Sequence, residues 1–131
     1  MATAKTSISA GDVIYGLLSS DTAVSAAVTA IYPVMELIEA KRPYIVYRRT
    51  GMTVNPQKAG QPGADTVEME VLCYTADYEE GLELAEMVRE AMDYRQHEES
   101  GLRMRSCYLS DSSEFIEGEA FVQKLVFLMK L

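Results

Sequence analysis

Few residues in this chain have the types and spacing that chemistry requires. Two cysteines, Cys73 and Cys107, and one histidine, His97, are the obvious nucleophile and base. A Cys–His pair needs the two side chains within hydrogen-bond reach, and nothing local brings either cysteine to His97. The segment "CYTADYEEGLELA", Cys73 to Ala85, concentrates carboxylates, and paired carboxylates can do acid–base work. Glu79/Glu80, Glu83/Glu86/Glu90 and Glu98/Glu99 nevertheless fall where a solvated helix and its exit belong. The cysteines lack the C-x-x-C spacing of a zinc site, and in a reducing compartment they read as small buried hydrophobes. The stretch "AGQPGAD" lacks the Lys-Ser/Thr ending of a phosphate-cradling loop. No cofactor or metal is expected, and no catalytic residue.

The elements around these residues explain most of them. "SAGDVIYGLLSSD" predicts a first helix with Ser9 as N-cap and Asp12 three residues on. Val13, Ile14, Leu17 and Leu18 form its apolar stripe. Asp21 is placed to cap a second short helix through "TAVSAAV", and "IYP" reads as a short extended piece. "RPYIVYRRT", residues 42–50, is a β-branched and aromatic strand. "DTVEMEVLCYT" is another, with Val67, Met69, Val71 and Cys73 facing one way.

Asp77 then precedes Glu80 by three, predicting a capped helix whose stripe is Leu82, Ala85, Val88 and Met92. A turn and strand follow in "HEESGLRMRSCYLSDSSEF". The last strand is "EAFVQKLVFLMKL", with Phe121, Leu125, Phe127 and Met129 on one face. The expectation is an α+β fold in a single domain, 1–131: a mainly antiparallel β-sheet, with N-terminal helices and one crossover helix packed on one face.

Candidate contact residues come from two features. Arg48 and Arg49 are consecutive on a strand, so their side chains leave opposite faces. At least one must find a carboxylate, reach a sheet edge or sit at an interface; the plain alternative is edge solvation or pairing within the chain. The segment 51–65, "GMTVNPQKAGQPGAD", reads as a long loop between strands, and loops of that length are functional or disordered. Asn55, Gln57 and Lys58 are its candidate contact residues.

Charge narrows the partners. The chain has 131 residues and a formal charge of −8, spread unevenly. Residues 1–64 hold six Lys/Arg against four Asp/Glu, whereas residues 65–99 hold twelve acids against Arg89 and Arg95. Such a body repels nucleic acid. No apolar run approaches the ~18 residues that cross a bilayer, and no signal-peptide h-region opens the chain, so a cytoplasmic site of assembly is expected.

The ordered set "LLSSDTAVSAAV", "IYP", "RPYIVYRR", a Gly/Pro loop and "TVEMEVLCYTADYEEGLELAEMVREAMD" resembles the tail-completion (tail-terminator, or tail-to-head joining) proteins of long-tailed bacteriophages and prophages. The likeness runs from about Ile14 to Asp93 and continues through "SDSSEFIEGEAFVQKLVFLMKL". Its most specific pieces are "PYIVY", Pro43 to Tyr47, and the run from Val71 to Arg89. These are core and capping positions, not an active site. The resemblance implies a structural protein that closes the tail tube as a ring, expected to be a hexamer of itself. Its other implied partners are the tail-tube protein and the head connector or stopper. The implied location is the tail or neck of the virion, after assembly in the bacterial cytoplasm. The alternatives are another phage neck or virion interaction module, or a small ligand-binding domain or enzyme.

Overall fold

The computed structural model describes residues 5–34, 41–55 and 65–131. Thr6 opens a 3-10 turn, Ser7–Ser9, by accepting a hydrogen bond from the Ile8 N–H at 3.4 Å. Helix α1 (Ala10–Ser20) and helix α2 (Thr22–Ala27) follow, then strands β1 (Ile31–Pro33) and β2 (Tyr44–Thr53). Strand β3 (Thr66–Thr75) leads into helix α3 (Tyr78–Met92). A small hairpin, β4 (His97–Glu99) and β5 (Leu102–Met104), comes next. Strands β6 (Ser106–Glu117) and β7 (Ala120–Lys130) end the order.

The caps show where local chemistry decides a boundary. Asp77 sits in extended geometry and its carboxylate accepts from the Glu80 N–H at 2.8 Å, as the D-x-x-E spacing predicts. Asp21 does the same for α2, accepting from the Val24 N–H at 3.0 Å. Ser9 does not cap α1. Its backbone, at φ −89 and ψ 22, is already turning at the end of the 3-10 segment, and its side chain makes no capping bond. Asp12 instead pairs with the Lys5 ammonium.

The main sheet has five strands in the order β1-β2-β3-β7-β6. Only the β1–β2 pair is parallel. β7 therefore lies between β3 and β6, and joins two hairpin-related pairs across the crossover through α3. Helices α1, α2 and α3 contribute to one core with one face of this sheet. Ile14, Leu18, Met69, Met92, Phe127 and Met129 are fully buried there. At about 1.5–3 kcal/mol per large apolar side chain, this layer is the main source of stability. The opposite sheet face carries a smaller cluster of Val46, Leu72, Tyr74, Ala120 and Val122, with Tyr44 stacked on Tyr74 at 4.9 Å. The α+β architecture, mainly antiparallel with helices on one face, is thus as expected from the strand and helix periodicities.

Three local expectations are corrected. The buried positions of α3 are Gly81, Leu84, Val88, Ala91 and Met92, so Leu84 takes the place expected for Leu82. Gly81 sets this rotation: a Cβ there would lie 2.9 Å from the buried Thr75 Oγ1 and 3.5 Å from Gln123 Cγ, so only glycine lets the helix approach so closely. The segment 51–65 is not loop throughout. β2 continues to Thr53, and Asp65 hydrogen-bonds through its backbone to Leu131 at both N–H and carbonyl. The region from His97 to Met104 forms the β4–β5 hairpin rather than a plain turn.

Among the described residues, no helix is long and apolar enough to cross a membrane.

Candidate functional site

The consecutive arginines separate as strand geometry requires. On the helix-free face, the Arg48 Nε donates to Glu70 Oε2 at 2.8 Å. Lys124 Nζ stands 3.7 Å from the other Glu70 oxygen. Glu70 is buried, 3% exposed, and lies directly across from Arg48 in the β2–β3 register. A carboxylate withdrawn from water must be paired, and two cations from the flanking strands do so. Arg48 is therefore a structural partner within the chain, the plainer of its two readings.

On the helix side, the Arg49 guanidinium donates to the Ile8 carbonyl at 2.7 Å. No carboxylate among the described residues pairs with it. It borders an open cavity of about 270 Å³ whose lining includes Ile8, Pro33, Val34, Tyr47 and Met69. Ile8 and Val34 are 63% and 60% exposed, large apolar side chains that leave the core unfinished at this edge. Asn55 is half-buried two residues past the end of β2. Gln57 and Lys58 lie outside the described residues. Arg48 and Arg49 both border this cavity, but from opposite faces of β2, with Asn55 further along the same segment.

A second open cavity, about 250 Å³, lies at the other end of the sheet. Tyr78 at the start of α3 packs edge-on against Phe121, with ring centroids 6.4 Å apart. Its hydroxyl and the Gln123 amide converge on the Glu114 carboxylate, at 3.0 and 2.7 Å. Phe115 and Ile116 beside it are 42% and 66% exposed. The sequence reading placed a strand through "SCYLSDSSEF" but missed this rim, because its polar run gave no apolar alternation to mark a contact surface. Its one available signal was the adjacent apolar pair Phe115-Ile116.

The residues first suspected of chemistry are placed otherwise. Cys73 is buried in mid-strand, and burial pushes its thiol up to about 12. Cys107 is 1% exposed and also raised to about 12, by burial and then by the Asp93 carboxylate. The two cannot bridge. Cys73 pairs with Gln123 and Cys107 with Met129, six positions apart along β7. At ~3.3 Å per residue that is about 20 Å, far beyond the ~7 Å limit for a disulfide.

His97 is on the β4–β5 hairpin, with Nε2 2.9 Å from Glu99 Oε1, and both side chains pack over Gly16 of α1. Glu79, Glu83, Glu86 and Glu90 line the wet side of α3. Burial also raises the hydroxyls of Tyr44, Tyr47 and Tyr74, with Glu117 adding to the effect at Tyr44 and Tyr74 and Asp12 at Tyr47. These phenols are packing groups, neutral across the physiological range. Among the described residues, no group of three His, Cys, Asp or Glu could hold a metal ion. The surface offers two rims with exposed apolar side chains, one beside Arg49 and one beside Glu114.

No curated protein matches this chain. Among solved structures, a chain of the virion of a native gene transfer agent particle superposes with a TM-score of 0.71 at 17% identity. The match covers 92% of this chain and 95% of that one, so the two share a fold. The family model described as "Tail completion protein gp17" matches residues 12–128, from the first turn of α1 almost to the end of β7, and the chain belongs to that family.

Proposed function

We propose that this protein completes phage tails: it closes the end of the tail tube as a ring of identical subunits, expected to be six, and offers the head connector its docking surface. The observation that carries this reading is the family match across residues 12–128. The chain's role is structural within the virion, at the tail or neck, after assembly in the bacterial cytoplasm, and it turns over no substrate. Two features support the absence of chemistry. Thiols raised to about 12 are not nucleophiles near neutral pH. The carboxylates of α3 serve as its cap and its solvated face. With a formal charge of −8, the protein lets DNA pass without gripping it.

A second reading, another neck or virion interaction module, draws on the shared fold with a chain of a gene transfer agent particle.

Electron microscopy of the protein mixed with purified tail tubes separates the two. The first reading expects added density at one tube end and an arrest of tube lengthening. Tubes that lengthen unchanged, with no density at either end, would sink it in favour of the second.

A further inference from the structure

The end strands of a sheet carry backbone groups that another chain can pair with, and the two ends here differ. β1 is three residues long and finishes on Pro33, which has no N–H to donate. β6 is twelve residues long, and its first part is already satisfied. The Tyr94 N–H donates to the Cys107 carbonyl at 2.7 Å, and the Leu109 N–H donates to the Asp93 carboxylate at 2.9 Å. A bulge between Leu109 and Asp111 follows, and the Ser112 N–H is taken by the Asp111 carboxylate at 2.9 Å.

Beyond that point the edge is open. Gly118, at φ +60, begins a two-residue turn that pairs Glu117 with Ala120 and so sets the alternation. Glu114 and Ile116 then turn their N–H and C=O groups away from β7. No hydrogen-bond partner for these backbone groups exists among the described residues. The Tyr78–Phe121 cavity and the exposed Ile116 side chain flank the same short stretch.

Charge chooses the occupant. Between Ser106 and Gln123 the chain has four acids, Asp111, Glu114, Glu117 and Glu119, and no Lys or Arg. Pairing this edge with itself in a second copy would set like charges against each other. The rim at the opposite end of the sheet has the complementary make-up: exposed Ile8 and Val34 beside Arg49, a cation with no carboxylate partner among the described residues. Unlike surfaces on opposite ends of one subunit join head to tail, and such contacts give a ring where the rotation between subunits closes and a filament where it does not.

We propose that the open half of β6, centred on Glu114 and Ile116, docks on the Ile8–Val34–Arg49 rim of the next copy and forms the seam of the ring. This rests on the ring reading above and adds the surfaces that join the subunits.

The test uses two variants at exposed positions, Ile116→Asp and Arg49→Glu, each checked for an unchanged circular dichroism spectrum. Assembly is followed by native mass spectrometry, and by cross-linking on tail tubes. Either variant alone should associate at least tenfold more weakly than wild type and close no ring. Mixed in equal amounts, they should form heterodimers and nothing larger, since one intact seam remains between them. Rings formed by either variant alone, or a mixture that stays monomeric, would overturn the seam. Unaltered capping of tubes by Ile116→Asp would discard the seam and leave the tail-completion reading standing. Seam-dependent rings that ignore tube ends would do the reverse.

Discussion

A cysteine acts as a nucleophile only as an accessible thiolate, and Cys73 fails on both counts. Its thiol titrates near 12 rather than the ordinary 9.0, because burial disfavours the charged form. The folded pKa is the raised one, so this contribution to stability is complete below about pH 9. It is lost as pH climbs from 9 toward 12, at up to about 1.4 kcal/mol per pH unit. Unfolding free energy measured between pH 9 and 11 should therefore fall more steeply for wild type than for Cys73→Ala. This holds even though the alanine variant starts less stable. Equal slopes would contradict the buried-thiol account. That Cys73 faces inward was legible in the alternation of Val67, Met69 and Val71. The choice of Leu84 over Leu82 was not. Both are apolar, and the rotation of α3 is decided by how closely Gly81 approaches Thr75, a contact between elements that no local pattern encodes.

Two elements that begin with similar spacing behave differently. "S-A-G-D" before α1 and "D-Y-E-E" before α3 both satisfy a capping pattern, yet only Asp77 makes the bond. The difference lies upstream: a 3-10 turn delivers Ser9 in a near-helical conformation, whereas Asp77 enters from an extended one. Asp77→Ala should cost about 1 kcal/mol, read as a lower urea midpoint at unchanged slope. Ser9→Ala should leave the midpoint nearly where it was. A reversed order would mean that the capping assignments are exchanged. The β4–β5 hairpin escaped the sequence reading for a related reason. Its strands are three residues each, too short for periodicity to register, and they are held by packing: Leu102 and Met104 enter the core while His97 and Glu99 lie over Gly16.

At the scale of the whole molecule, the class and sheet composition were legible because long strands and a long helix carry strong periodicity. The strand order was not, since insertion of β7 between β3 and β6 is a pairing across the chain. That order gives an exchange prediction. Amides of β3 and β7, bonded on both sides, should exchange with solvent slowest, and those of Glu114 and Ile116 among the fastest in the free subunit. Hydrogen–deuterium exchange followed by mass spectrometry checks both, and slow exchange at Glu114 and Ile116 in the monomer would show that their edge is already covered. The position of β7 also sets a timetable for the growing polypeptide. A ribosome that has translated only as far as Gly118 has made β3 and β6 without the strand that joins them. Until β7 emerges, both stand with open edges and Phe127 and Met129 are missing from the core, so the growing chain is exposed to misassociation until this strand is in place. A partner that recognises the five-stranded sheet can then distinguish a chain with β7 in place from one without it.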